Sequence, residues 1–200
     1  MNERGILLVL SGCSGVGKGT VVSSLRRQRE HLHYSVSVTT RAPRPGERDG
    51  VNYYYRTQEE FDRLVGEDAF LEYARYVNHS YGTPAAPVDE HLEAGDDVLV
   101  EIEVQGAMQI KEKRPDAVLV FLVPPSVEEL EHRLRGRGTE NEEVIRGRLE
   151  AAREELRHAG EYRYRVVNDR VDLAVERLSA ILLAEKCRAP FEETSFFSED

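Results

Sequence analysis

Residues 5–28 read GILLVLSGCSGVGKGTVVSSLRRQ, a branched apolar run followed by a glycine-rich loop. The apolar run predicts a strand that is buried on both faces, as in a parallel sheet. The residues after Lys18 predict a helix, and the glycines before it allow the backbone to wrap closely around an anion. This order of strand, glycine loop and helix indicates a phosphate-binding loop in an α/β domain.

The loop departs at one position from the pattern G-x-x-x-x-G-K-[ST]. Gly12, Gly17 and Lys18 match it, but Gly19 stands where the pattern has a hydroxyl, and Thr20 follows one residue later. The bland alternative is a glycine-rich turn that binds nothing. The lysine, the strand before the loop and the helix after it favour a working site in which Thr20 or a water molecule replaces the missing hydroxyl.

The composition narrows the classes of molecule that the chain could bind. The chain has 200 residues, a net charge of −10 and a pI near 5.2, so it lacks the basic field that a nucleic acid or an anionic membrane would require. Cys13 and Cys187 show no metal-ligand spacing, and a reduced, cytoplasmic location fits them. We expect no signal peptide and no membrane span, because the first apolar run is short.

The rest of the chain alternates between predicted strands and helices. Further strands are expected in DVLVEIEV at 97–104, AVLVFLV at 117–123 and YRVVN at 164–168, and a helical stripe begins at Val171. Three helix starts match a capping box, at Thr57, Ser126 and Thr139. The pattern predicts an α/β fold with a parallel sheet. The tail after Pro190 lacks periodicity and is expected to fray.

Three groups of residues have the chemistry of a nucleotide-binding site. Arg41 and Arg44, in a proline-stiffened loop, suit a bidentate grip on a phosphate, although solvated surface arginines would look the same. One hydroxyl among the three tyrosines at 53–55 could reach that phosphate. Glu72 could accept the N1–H and N2–H2 donors of guanine, which adenine lacks; the alternative is a solvent-facing glutamate.

Two further groups suggest a metal ion and a triphosphate. Glu101 and Glu103 are expected at the end of a buried strand, on the same strand face and two residues apart, where they suit a hydrated Mg²⁺ or a base edge; a solvated pair is the alternative. Arg133, Arg137 and Arg148 could close over a triphosphate, although helix arginines often only pair with glutamates.

Taken together, the motifs SGCSGVGKGT, SVSVTTRAPRPGE, FLEYA, YGT, VEIEVQGA, LRGRG and VVND resemble those of the guanylate kinase family, in family order from Gly5 to Leu183. The resemblance implies a P-loop parallel sheet flanked by helices, a GMP-binding insert and a lid. It also implies the reaction ATP + GMP = ADP + GDP with Mg²⁺, in purine nucleotide metabolism and GMP recycling. ATP and GMP are then the partners; dGMP as a substrate, and a monomer or homodimer, stay open.

The resemblance carries over to individual residues. For ATP it implies Gly12, Cys13, Ser14, Gly15, Val16, Gly17, Lys18, Gly19, Thr20, Arg133, Arg137 and Asn168. For GMP it implies Ser37, Arg41, Arg44, Glu47, Tyr53, Glu72, Tyr81, Thr83, Glu101 and Glu103. It makes Lys18, Arg41, Arg137 and Arg148 catalytic. Thr20 and Glu101 are the candidate metal ligands, with Glu101 acting through water and Glu103 lying nearer GMP.

The same resemblance divides the chain, with one guanylate kinase-like domain at about 4–185. The expected parts are a core at 1–33, 97–132 and 159–187, a GMP insert at 34–96, a lid at 133–158 and a flexible tail at 188–200. Cys13 replaces the family's usual proline, Gly19 a common serine, and EIE the usual Asp-x-Asp. Two rival functions remain: a kinase for AMP, UMP or dTMP, and a non-catalytic module with this fold.

Overall fold

The computed structural model describes residues 4–76, 78–136 and 141–188. Its strands are β1 Leu7–Gly12, β2 Leu32–Tyr34, β3 Val38–Thr39, β4 Tyr54–Tyr55, β5 Phe70–Tyr76, β6 His79–Pro84, β7 Asp97–Glu101, β8 Val118–Val123 and β9 Tyr164–Val167. Its helices are α1 Lys18–Gln28, α2 Gln58–Gly66, α3 Ala85–Glu93, α4 Val104–Lys113, α5 Val127–Arg135, α6 Glu142–Arg157 and α7 Val171–Lys186, with a 3-10 turn at His158–Glu161.

The larger sheet is parallel throughout, in the order β2-β7-β1-β8-β9. All six residues of β1 are buried because helices cover both faces of the sheet. Leu8 and Leu10 pack on one side with residues of α1, α5, α6 and α7. Leu7 and Val9 pack on the other side with residues of α3 and α4. The α/β fold with a parallel sheet is confirmed.

The smaller sheet has the order β4-β3-β6-β5 and mixes parallel and antiparallel pairs. Helix α2 packs on it through Phe61, whose ring stacks on Phe70 at 4.7 Å between centroids. Helix α3 comes next in the chain but packs on the large sheet through Val88 and Leu92. The interval 34–96 therefore holds both the small sheet and one helix of the core layer.

Side chains of α4 join the small sheet to the core. The Gln109 amide nitrogen donates to the Tyr73 carbonyl at 3.1 Å, and its oxygen accepts from the Tyr73 backbone N–H at 3.2 Å. Lys113 Nζ donates to the Phe70 carbonyl at 2.8 Å. These bonds fix β5, an edge strand, against the helix.

The predicted helix starts are confirmed in two cases of three. Thr57 forms both hydrogen bonds of a capping box, and the Ser126 hydroxyl accepts from the backbone N–H of Glu129. The third candidate, Thr139, lies outside the described residues; the N-cap of α6 is Asn141, whose side chain accepts from the backbone N–H of Val144 at 2.9 Å. Asn is as good a cap as Thr and lies next to the first helical residue.

Three expectations fall wholly or partly outside the described residues. They are Thr139, Arg137 and the portion of the expected tail at 189–200. The lid interval 133–158 is otherwise helical, and its helix α6 buries Ile145 and Ala152 in the same apolar cluster as Val16 of the loop. Within the described residues, no helix is long and apolar enough to cross a membrane.

A buried carboxylate ties both ends of the chain to the large sheet. The side chain of Asp97, at the start of β7, is 2% exposed. It accepts from the Ile6 backbone N–H at 3.1 Å, and it lies 3.0 Å from Lys186 Nζ and 3.6 Å from an Arg29 guanidinium nitrogen. These three groups belong to the segment before β1, to α7 and to the C-cap of α1.

We expect Asp97→Ala to lower the free energy of unfolding by about 3 kcal/mol, because it leaves a buried N–H unpaired and removes the partner of two cations. Chemical denaturation of the purified protein measures this loss. The matched control is Asp116→Ala, since Asp116 is 64% exposed and lies 3.9 Å from Arg4; its expected loss is below about 0.5 kcal/mol. Equal losses in the two variants would contradict the anchoring role.

Candidate active site

The phosphate loop connects β1 to α1. Gly17 is the N-cap of α1 and has a φ of 95°, a backbone conformation that favours glycine. A Cβ atom at Gly17 would lie 2.9 Å from Asn168 Nδ2. Lys18 Nζ donates to the Gly12 carbonyl at 2.5 Å and lies 3.8 Å from Glu103 Oε1. The lysine is thereby held over the loop.

Two predicted ATP-side residues support the loop from within the core. Asn168 is 3% exposed, and its Nδ2 donates to the Val16 carbonyl at 2.8 Å. Its own backbone N–H donates to the Val123 carbonyl, so it fixes the loop to the end of β8. The Cys13 thiol is fully buried, and burial raises its pKa to about 11. The side chain of Cys13 therefore packs in the core.

Two arginines of the expected lid lie against the loop. Arg148 of α6 donates through Nε and Nη2 to the Ser14 hydroxyl oxygen, both at 3.1 Å. Arg133 of α5 donates through Nε to Glu129 at 2.8 Å, and its Nη1 lies 3.5 Å from the Val16 carbonyl oxygen. The helices on both sides of 137–140 thus bring guanidinium groups to the phosphate loop.

A third lid residue was not expected from the sequence. Glu155 Oε2 accepts a hydrogen bond from the Ser14 backbone N–H at 2.8 Å. Burial raises the pKa of Glu155; Glu103 adds to this effect and Lys18 opposes it. Glu155 lies seven residues after Arg148, which is two helical turns and hence the same face of α6. That spacing was readable in the sequence, but a glutamate in a glutamate-rich helix normally indicates a solvated face.

The loop at 41–47 is ordered by a carboxylate. Glu47 accepts from Arg41 Nη2 at 3.0 Å, from the Arg44 backbone N–H at 2.7 Å and from the Tyr55 hydroxyl at 2.8 Å. These bonds, led by that from Arg44, hold the pKa of Glu47 below its usual value. The Arg41 guanidinium also lies 5.4 Å from the centre of the Tyr53 ring. Glu47 therefore positions Arg41, whereas the side chain of Arg44 is exposed.

Glu72 is buried between the small sheet and α4. It is 5% exposed, and its Oε1 accepts from the Thr83 hydroxyl at 2.6 Å. Its Oε2 approaches Gly106 so closely that a Cβ atom there would lie 2.8 Å away. Burial raises the pKa of Glu72, although the bond from Thr83 opposes the rise. The alternative of a solvent-facing glutamate is excluded.

The remaining predicted acceptor-side residues lie in or beside the small sheet. The rings of Tyr53 and Tyr81 meet edge to face, with centroids 6.0 Å apart. Ser37 precedes β3, and its carbonyl accepts from the Tyr54 backbone N–H at 2.9 Å. Of these residues, Tyr53 and Tyr81 both interact with Arg41.

Glu101 and Glu103 do not share a strand face, which corrects the sequence expectation. Strand β7 ends at Glu101, and Glu103 is already the N-cap of α4, so the period of two does not apply. Glu101 is half-buried, and burial raises its pKa. The side chain of Glu103 is 70% exposed and faces Lys18. Among the described residues, no contact of Glu103 supports its expected position near GMP.

Tyr34 links the two halves of the site and was missed in the sequence. It ends β2, and burial raises its pKa to about 12, with Glu101 and Tyr53 both adding to the rise. Glu101 and Tyr53 therefore both lie close enough to Tyr34 to affect its phenol. The segment HLHYSV carries no nucleotide-binding pattern, and only the pairing of β2 with β7 places Tyr34 here.

The candidate metal position is defined by Glu101 and Gly19. A Cβ atom at Gly19 would lie 3.9 Å from Glu101 Oε1, so the missing side chain leaves room beside this carboxylate. Thr20 is exposed, and no hydrogen bond joins it to Glu101 in the described part of the chain. Nor do residues 4–76, 78–136 and 141–188 contain a cluster of three or more His, Cys, Asp or Glu that could hold a metal. A hydrated Mg²⁺ fits this position, since it is usually held by one or two carboxylates, waters and phosphate oxygens.

Known proteins are similar to this chain in both sequence and fold. The family model described as Guanylate kinase matches residues 4–185. The chain is 53% identical over 186 residues to a guanylate kinase of Desulfitobacterium hafniense, covering 93% of both chains. It is 55% identical over 188 residues to one of Lactococcus lactis subsp. lactis, covering 94% of this chain and 92% of that one.

Solved structures include a similar protein. The crystal structure of guanylate kinase from Anaplasma phagocytophilum matches with a TM-score of 0.76 and 34% identity, over 100% of this chain and 99% of that chain. The match extends over the large sheet, the small sheet and the helices of the expected lid. This chain belongs to the guanylate kinase family, whose known reaction is the transfer of a phosphoryl group from ATP to GMP.

Proposed function

We propose that this chain carries out that reaction with Mg²⁺, using the phosphate loop for ATP and the small sheet for GMP. The observation that carries the proposal is the buried pair of Glu72 and Thr83 in the small sheet. A buried carboxylate that keeps one hydrogen-bond donor and lies beside a glycine suits a base edge with two adjacent N–H donors. Guanine presents those donors, whereas adenine, uracil and thymine do not.

Phosphoryl transfer here needs alignment and charge neutralisation more than a base. The GMP phosphate is already anionic and can attack without losing a proton. Lys18 and Arg148 approach the phosphate loop, and Arg41 is aimed by Glu47 on the acceptor side. We assign these three, together with Arg137, to neutralising the phosphates of ATP and GMP. Closure of α6 over the loop would exclude water from the transfer.

Mg²⁺, when bound, would neutralise the charge on the phosphates of ATP. Glu101 is the residue proposed to hold it, through bound water, because its carboxylate faces the space at Gly19. A water molecule is favoured over Thr20 as the replacement for the missing hydroxyl at Gly19. Thr20 is the next residue in the first turn of α1, so its side chain points about 100° away around the helix axis. Thr20 keeps its hydroxyl available as a second donor to the metal's water shell.

The two free thiols fit a reducing compartment, and we propose that the protein works in the cytoplasm.

The function is tested by coupling ADP formation to a colour change, with ATP, Mg²⁺ and one monophosphate at a time: GMP, dGMP, AMP, UMP or dTMP. We expect turnover with the guanine nucleotides alone. In Lys18→Ala we expect nearly complete loss of turnover with an unchanged unfolding curve, because the ammonium over the loop is gone. Turnover with another base would support a different monophosphate kinase, and no turnover at all would support a non-catalytic module.

Guanine recognition should depend on pH through Glu72. Because burial raises the pKa of this carboxyl, its charged form is lost at a higher pH than for an ordinary glutamate as the solution is acidified. The KM for GMP should therefore rise as the pH falls toward that raised pKa. In Glu72→Gln the KM should be raised roughly 10- to 100-fold at neutral pH, for a lost charged hydrogen bond of about 1.5–3 kcal/mol, and should not vary in this window.

Steady-state KM values for GMP and ATP across pH decide this prediction. The control is Glu59→Gln on the exposed face of α2, which should keep the wild-type profile. Stability gives an independent check: the carboxylate is disfavoured in the folded state above its raised pKa, so the glutamine variant should be no less stable at neutral pH. An equal rise in the KM values for ATP and GMP would remove Glu72 from the guanine pocket.

The metal role of Glu101 predicts a separate effect. Glu101→Gln should raise the Mg²⁺ concentration for half-maximal activity severalfold, because an amide attracts a hydrated cation less than a carboxylate does. Glu103→Gln should leave that concentration unchanged, since its carboxylate faces Lys18 and is exposed. Magnesium titrations at saturating ATP and GMP measure both variants. The same curve for Glu101→Gln as for wild type would mean that Glu101 does not act on the metal.

A further inference from the structure

The phosphate loop has an anion of the protein's own on one of its amides. Glu155 Oε2 lies 2.8 Å from the backbone nitrogen of Ser14 and accepts its hydrogen bond. Backbone N–H groups of such a loop are the groups that bind phosphate oxygens. Like a phosphate oxygen, a carboxylate oxygen carries negative charge and accepts hydrogen bonds from N–H groups. ATP and Glu155 therefore have chemistry in common at Ser14.

Helix α6 grips Ser14 at two points. Arg148 donates to the hydroxyl oxygen at 3.1 Å, and Glu155 accepts from the amide at 2.8 Å. The helix is seated on the core by Ile145 and Ala152, which are 4% and 1% exposed. The position of the carboxylate is thus set by the packing of the whole helix. A change in hydrogen bonding at the Ser14 amide would therefore affect the position of α6, the helix that carries Arg148.

The surroundings of Glu155 do not favour its charge. Burial disfavours the ionised carboxylate, and Glu103 adds a second negative charge nearby. The Ser14 N–H and, more weakly, Lys18 oppose these effects on Glu155, and Lys18 also lies 3.8 Å from Glu103. A carboxylate whose ionised form is disfavoured by burial can be displaced from an N–H donor by a more highly charged anion. The triphosphate of ATP is such an anion, and ATP binds as a complex with Mg²⁺.

We propose that Glu155 is a positioning residue that competes with ATP for the Ser14 amide, so that ATP binding displaces the carboxylate and releases one of the two grips of α6 on the loop. The inference rests on the proposed function only in taking ATP as the ligand. Displacement would leave the bonds from Arg148 as the hydrogen bonds that the described part of α6 makes to Ser14, while Ile145 and Ala152 keep the helix packed on the core, and it would allow Arg148 to turn from Ser14 to the phosphates. Glu155 then sets the affinity for ATP without touching the reacting atoms.

Competition predicts that removal of the carboxylate tightens ATP binding. In Glu155→Ala the dissociation constant for Mg²⁺–ATP, measured by calorimetry without GMP, should fall roughly tenfold, because ATP no longer displaces a charged hydrogen bond. The dissociation constant should fall less in Glu155→Gln, because the amide oxygen still accepts from the Ser14 N–H, although more weakly than a carboxylate. The affinity for GMP should be unchanged. If ATP binds with equal or lower affinity in both variants, Glu155 does not compete.

Two control variants separate competition from other effects. Glu154→Gln makes the same chemical change on the next residue, whose side chain is 65% exposed and pairs with Arg157, and should leave ATP affinity unchanged. Glu103→Gln removes a charge close to Lys18 without a bond to Ser14. It should tighten ATP binding much less than Glu155→Ala. An equal effect of Glu103→Gln would mean that general charge, and not competition at Ser14, explains the result.

A second readout follows the hydrogen bond directly. Without nucleotide, amide hydrogen exchange at Ser14 should be faster in Glu155→Ala than in wild type and in Glu154→Gln, with unchanged exchange in the strands of the large sheet. Unchanged exchange at Ser14 would overturn the proposal. If wild type failed to bind ATP, the proposed function would fall with it. ATP binding without any tightening in the variants would overturn the competition alone.

Discussion

The parallel register of β7, β1 and β8 is the constraint on which the rest of the structure depends. Leu10 pairs with Glu101 on one side of β1, and Gly12 pairs with Leu122 on the other. Because the strands run in the same direction, their carboxyl ends meet at one edge of the sheet, where ligands of open α/β sheets bind. The phosphate loop, the carboxylate of Glu101 and the amide of Asn168 are neighbours for this reason, although the sequence separates them widely.

Each element at this edge performs a different physical task. The loop supplies backbone N–H groups and one lysine, and the core behind it supplies Asn168 as a brace. The small sheet supplies a buried carboxylate in Glu72, and α6 supplies a guanidinium in Arg148. Charge is concentrated on side chains that reach the site from separate layers. The net negative charge of the whole protein therefore does not prevent anions from being bound here.

The sequence predicted what depends on local pattern. The helix after the loop was expected over the residues KGTVVSSLRRQ, and α1 spans Lys18–Gln28; the other core strands and α7 likewise follow from runs and stripes of apolar residues. Most candidate site residues came from the family resemblance. Those of them that the structure describes lie around the loop and the small sheet.

What the sequence could not supply depends on where the chain turns and on long-range packing. Glu103 was placed wrongly because nothing in EIEV reveals that the strand stops at Glu101. Tyr34 and Glu155 were missed because their partners are far along the chain: 67 residues separate Tyr34 from Glu101, and Glu155 meets Ser14 at a separation of 141. Residues that contact the site from distant parts of the chain were thus harder to find in the sequence than the residues of the binding motifs.

The paired bonds between Gln109 and Tyr73 also bear on solubility. Strand β5 lies at the edge of the small sheet, and an unpaired edge strand is a template on which another chain can add as a further strand. The amide of Gln109 presents an N–H and a C=O to Tyr73 as the backbone of a neighbouring strand would, and Lys113 occupies the next carbonyl, that of Phe70. Helix α4 therefore acts as a surrogate strand, and it shields the β5 edge of the small sheet from intermolecular β-pairing.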